Sequence, residues 1–66
     1  MTFAENLLRL RTERKIKQAE LAQQAGIGLR AYQTYERGQR EPTLSTLVAL
    51  ADYYDLTLDE LVGRQR

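Results

Sequence analysis

QAELAQQAGIGLRAYQTYERG, residues 18 to 38, sets two short helical patterns on either side of a glycine. From about Gln18 to Ala25 the apolar positions Leu21, Ala22 and Ala25 recur at helical spacing. Gly26 follows, and its missing Cβ lets the backbone turn left-handed where a helix must stop. A second helix is expected after Gly28 and is ended by Gly38 in the same way. Leu21, Ala25, Ile27, Tyr32 and Tyr35 supply a shared apolar seam, and Ala22 is small enough for the later helix to pass close by. Two helices crossing steeply through a tight turn satisfy all of these positions at once.

Outward from this pair the chain stays helical. Phe3, Leu7, Leu10 and the stem of Arg14 form one stripe, predicting a helix near residues 3 to 14. Beyond the pair, Pro42 holds Glu41 extended, and Thr43 is placed to cap a helix carrying Leu44, Leu47, Leu50, Ala51 and Tyr54. Thr57 and Glu60, three apart, form a capping box for a last turn with Leu58 and Leu61 inward. No repeat or low-complexity segment interrupts the pattern. The expectation is a single all-α domain of five helices over residues 1 to 66, with the crossing pair at about 18 to 37.

The composition removes whole classes of chemistry. With no cysteine and no histidine among 66 residues, disulfides, thiolate nucleophiles, Cys/His zinc sites and imidazole acid–base catalysis are all absent. Asp52, Asp55, Asp59 and Glu60 are the one local carboxylate cluster, and without catalytic partners they read as solvated helix ends rather than an enzyme's site. A 42% hydrophobic, 29% charged chain is too apolar for disorder and too often interrupted by charge for a membrane span. The N-terminus lacks a signal-peptide pattern, so the cytoplasm is the expected compartment. Net charge is only +1, but residues 1 to 40 carry eight basic against four acidic side chains and residues 41 to 66 two against five. That division suits an N-terminal part facing a polyanion.

Taken together, Leu7, Leu10 and Arg11, QAELAQQAGI (18 to 27), YQTYERG (32 to 38), the P-x-L-x-x-L-x-x-L-A run from Pro42 to Ala51 and LTLDEL (56 to 61) resemble the phage-repressor, or Xre/Cro-like, helix-turn-helix family of DNA-binding domains. The resemblance covers about Leu7 to Val62. It implies a compact five-helix, lambda-repressor-like fold and sequence-specific binding of double-stranded operator DNA as a dimer. A transcription regulator, in the main a repressor reading a palindromic operator through the major groove, is the function that follows, with no cofactor, metal or small-molecule ligand.

Helical geometry tests whether the third helix has a face to spare for DNA. At about 100° per residue, Leu29, Gln33, Arg37, Arg30 and Thr34 fall within roughly 140° of one another, while Ala31, Tyr35 and Tyr32 lie on the other side and Glu36 on its inward edge, about 20° from Leu29. A merely solvated face would account for the polar members but not for an exposed leucine, which suits a thymine methyl. Matching positions to the family implies base contacts from Leu29, Arg30, Gln33 and Thr34. Arg30 fits guanine O6 and N7, and Gln33 fits adenine N6 and N7. Gln18 is matched to a backbone phosphate at a helix N-terminus, and Lys17, Arg37 and Arg40 flank that surface as phosphate contacts. Arg11 is matched to a structural ion pair with Glu36.

Several positions depart from the family. Lys17 and Gly28 stand where a capping Ser or Thr is usual, so both helices of the pair lose a side-chain acceptor. Ala25 is smaller and Tyr32 larger than the usual residues. Either the two compensate in volume, or the Tyr32 hydroxyl reaches the rim as a phosphate donor. Val48 and Val62, off the principal stripes of Leu44, Leu47, Leu50, Leu58 and Leu61, are candidates with Tyr53 for a homodimer patch in the acidic C-terminal part. The alternative function is a protein-interaction or antitoxin module on the same fold, which weak dependence of binding on salt would reveal. Gly63-Arg64-Gln65-Arg66 reads as a terminus or the start of a linker.

Overall fold

A computed structural model describes residues 2–63, so the tail beyond Gly63 lies outside the described residues. Five helices follow in order: α1 (Phe3–Glu13), α2 (Gln18–Ala25), α3 (Leu29–Glu36), α4 (Leu44–Tyr54) and α5 (Leu58–Val62). Among the described residues there is no strand, and no helix is long and apolar enough to cross a membrane.

Every helix contributes to one core. Leu7 and Leu10 of α1, Leu21 and Ala22 of α2, Tyr32 and Tyr35 of α3, Leu50, Ala51 and Tyr54 of α4, and Leu61 of α5 are all buried. α2 lies against α3 and α4, α1 against α3 and α5, and α4 against α5. The effect is to wedge α3 against α1 and α2 while leaving its other side uncovered.

Helix ends are set by the backbone as much as by side chains. α2 stops at Gly26 (φ 70°), with the Gly26 amide bonded to Gln23 O at 3.1 Å and the Ile27 amide to Ala22 O at 3.0 Å. This paired closure recurs after α1, α3 and α4, where Lys15, Gly38 and Asp55 take the left-handed conformation. The next residues after α1, α2 and α4 are Ile16, Ile27 and Leu56, which pack against the core. α1, α2 and α4 are therefore each stopped and pinned by adjacent residues.

The fourth and fifth helices bury a narrower stripe than the leucine spacing suggests. Leu44 is 67% exposed and Leu58 39% exposed. In α4 the buried line is Thr46, Leu50 and Tyr54, with Leu47 partly covered. Leu44 lies about 120° around the helix from Leu50, in the first turn, where no neighbouring helix reaches it. α5 is only five residues long and buries Leu61 alone.

One buried polar residue has no counterpart in the sequence reading. Asn6, 1% exposed on the apolar side of α1, donates from Nδ2 to Glu60 O at 3.0 Å and Leu61 O at 2.7 Å. Those carbonyls belong to the last turn of α5, where a helix runs out of its own donors, Glu60 O having besides, among the described residues, only the Gly63 amide at 3.3 Å. Asn6 Oδ1 accepts from Arg9 at 2.6 Å, so the whole side chain is satisfied. It fastens the C-terminal helix to the first.

Candidate nucleic-acid interface

α3 divides into two faces. Tyr32 and Tyr35 are buried, whereas Leu29 is 44% exposed and Arg30 and Arg37 stand in solvent. Gln33 and Thr34 are half-buried beside them. Thr34 turns its hydroxyl to Ala31 O at 2.6 Å, which leaves its methyl and its oxygen lone pairs for other contacts. Lys17 and Arg40 are exposed, Lys17 immediately before α2 and Arg40 in the loop after α3. At eight residues, α3 is about 12 Å long, a match to the width of the major groove.

The N-termini of α2 and α3 are open. Neither Lys17 nor Gly28 makes a side-chain capping bond, so the first backbone amides of both helices are available to an anion. The other three are closed: Thr2 with Glu5, Thr43, and Thr57 with Glu60 all cap their helices. The Thr2–Glu5 box was equally legible at the same spacing as Thr57–Glu60.

Beneath the exposed face lies a polar network centred on Glu36. Arg11 grips its carboxylate with both arms, Nε to Oε2 at 2.5 Å and Nη2 to Oε1 at 3.2 Å. The third nitrogen, Nη1, donates to Ile16 O at 3.0 Å. Tyr32 donates its hydroxyl to Oε2 at 2.6 Å, and Gln18 donates Nε2 to Oε1 at 2.9 Å. The Arg11 and Glu36 side chains are only 17% and 6% exposed. Burial pushes the Glu36 carboxyl upward, but hydrogen bonds from Arg11, Tyr32 and Gln18 outweigh it and hold the group below the usual carboxylate range. The Arg11 guanidinium is held above its ordinary value, chiefly by its bond to Glu36. The ion pair is thus a fully hydrogen-bonded structural element.

The network reaches the exposed face through Gln18, whose Oε1 accepts from Gln33 Nε2 at 3.1 Å. Gln18 and Gln33, expected to meet phosphate and base respectively, are in direct contact. Tyr32 is 0% exposed and bonded to Glu36, so it is not at the rim, and its role as a phosphate donor is ruled out. Tyr32 lies in the core cluster, against which Ala25 also packs. The last turn of α4 is tied to the end of α1 by Arg14, whose guanidinium lies 4.9 Å from the Tyr54 ring centre and donates to Tyr54 O at 3.3 Å.

Two packed helices joined through a tight glycine turn, with an uncovered polar, basic face on the second, define a DNA-binding type of module. The chain belongs to the helix-turn-helix family of phage-repressor-like regulators, whose family model matches residues 7–61. It is 45% identical over 64 residues to the HTH-type transcriptional regulator AnsR of Bacillus subtilis, spanning 92% of this chain and 55% of that one. It is 39% identical over 64 residues to the cryptic phage CTXphi transcriptional repressor RstR of Vibrio cholerae, with 97% and 57% covered. The chain spans about half the length of the curated relatives it matches. Among solved structures, the P22 c2 repressor protein in complex with a synthetic operator superposes with a TM-score of 0.89 at 28% identity, covering 98% of each chain. A transcriptional regulator from Listeria innocua superposes with a TM-score of 0.90 at 38% identity, covering 97% of this chain and 60% of that one.

Proposed function

We propose that this chain is the DNA-reading part of a transcription regulator, a repressor, acting in the cytoplasm, and that α3 enters the major groove of double-stranded DNA. The observation that carries the reading is the uncovered face of α3, with Leu29, Arg30, Gln33 and Arg37 outward above a buried network that fixes the helix. The P22 c2 repressor, whose fold matches 98% of this chain, was solved in complex with a synthetic operator, which supports DNA as the partner. In this reading Arg30 pairs with guanine, Gln33 with adenine, and Leu29 and Thr34 line the groove. Lys17, Gln18, Arg37 and Arg40 meet phosphates, and the open N-termini of α2 and α3 face the same backbone.

Two copies are proposed to bind a palindromic operator, joined through the C-terminal part. One module covers only about 600–1,000 Å² on DNA, little for selecting a genomic site. Val48 is exposed and Val62 and Tyr53 are half-buried, and the exposed Leu44 and Leu58 widen the apolar surface on α4 and α5. Selection of bound sequences from random duplex DNA tests the proposal. A two-fold symmetric motif with half-sites one helical turn apart is the expected result; binding without sequence preference and without salt dependence would instead favour a protein-interaction module on this fold.

A further inference from the structure

The carboxylate of Glu36 offers about four lone-pair positions, and all four are taken. Arg11 uses one on each oxygen, Tyr32 the second on Oε2, and Gln18 the second on Oε1. An ionised carboxylate only accepts, so Gln18 must turn its amino end to Glu36. Its carbonyl oxygen then faces Gln33 and requires a donor there, which the Gln33 amino group supplies at 3.1 Å. What Gln33 has left for the groove is its own carbonyl oxygen and one N–H. That pair complements adenine, with its N6 donor and N7 acceptor, and opposes guanine, which shows acceptors at both positions.

We propose that Tyr32, although it touches no DNA, is a positioning residue for base reading: its buried hydroxyl occupies Glu36 Oε2, reserves Oε1 for Gln18, and so fixes which edge of the Gln33 amide faces the groove. Burial, with the bond to Glu36, holds the phenol far above its usual range, so at neutral pH it is a donor. Without the hydroxyl, the vacant position on Oε2 competes for the Gln18 amide, and the bond from Gln33 loses its fixed acceptor. The inference rests on the assignment of α3 as the reading helix.

Tyr32→Phe keeps the buried ring and removes only the hydroxyl. Two readouts apply. On the free protein, the side-chain amide NMR signals of Gln18 and Gln33 should both move toward those of solvated glutamine. On DNA, the preference for adenine over guanine at the Gln33 base pair should fall about three- to tenfold, with preferences elsewhere and the salt dependence unchanged. Amide signals that stay in place overturn the relay; signals that move while the adenine preference holds overturn its part in reading. Gln33→Ala, measured alongside, separates the two levels. If it too leaves the preference intact, the assignment of α3 is at fault, and if it abolishes the preference while Tyr32→Phe does not, the relay alone falls.

Discussion

The α2–α3 corner and the α4–α5 half hold themselves together by different means. In α4 and α5 the helix starts are closed by Thr43 and by the Thr57–Glu60 box, and the last turn of α5 is fastened by Asn6. In α2 and α3 both starts are open, and the corner is held from beneath by the Arg11–Glu36 network. A helix that closes its own first turn is more stable but has fewer amides left for a phosphate. The molecule accordingly spends its caps away from the proposed DNA face and stabilises the reading corner through buried charge.

The largest expected effect lies in that buried charge. Glu36→Ala leaves Arg11 unpaired in the interior and should cost about 3–5 kcal/mol in a urea melt, a large part of the stability of a domain this size. Because the folded carboxyl titrates below its ordinary 4.5, its contribution is complete above that value and is lost as pH falls through the lower folded one. The gap between wild type and Glu36→Ala should therefore narrow in acid; a gap that stays constant from pH 7 to pH 3 would place the charge elsewhere. Asn6→Ala removes the side-chain donor that two carbonyls of α5 share and should cost about 1–3 kcal/mol in the same assay. Its ratio of specific to random DNA binding should be unchanged, since Asn6 serves the other half; a changed ratio would break the division between the two.

Smaller effects sharpen the contrast between open and closed helix starts. Thr57→Ala removes a cap and should lower stability by about 1 kcal/mol. Lys17→Thr does the reverse, giving α2 a side-chain cap, and should raise stability by about 0.5–1 kcal/mol. The same change should weaken binding to all DNA sequences and reduce the salt slope by about 1. If Lys17→Thr stabilises the domain and binds DNA as well as before, the open start of α2 has no part in recognition.

How much of this was legible in the sequence depended on whether a residue acts through its own helix or across to another. The bounds of α2 are read directly from Gln18 and Gly26, because a glycine in left-handed conformation ends a helix locally. The end of α1 is less visible: Lys15 adopts the same conformation (φ 56°), and no turn-forming side chain marks it. The exposed Leu29 and the inward Tyr32 and Tyr35 follow from helical periodicity alone. Asn6 does not, since one asparagine in an apolar stripe has the look of a surface residue until its distant partners at Glu60 and Leu61 are known. Leu44 and Leu58 err in the opposite direction, because periodicity gives a face but not how far a neighbouring helix extends over it. The pairing of Arg11 with Glu36 came from family resemblance, whereas the hydroxyl of Tyr32 and the link from Gln18 to Gln33 needed the assembled structure.

The central claim, that the open face of α3 reads base sequence, is tested most directly by the affinity of Arg30→Ala for a selected site and for random duplex at one salt concentration. The expected result is a loss of about 1–3 kcal/mol on the selected site, relaxed preference at one base pair per half-site, and a much smaller change on random DNA. An equal loss on both would make Arg30 a phosphate contact and contradict the assignment of α3 as the reading helix.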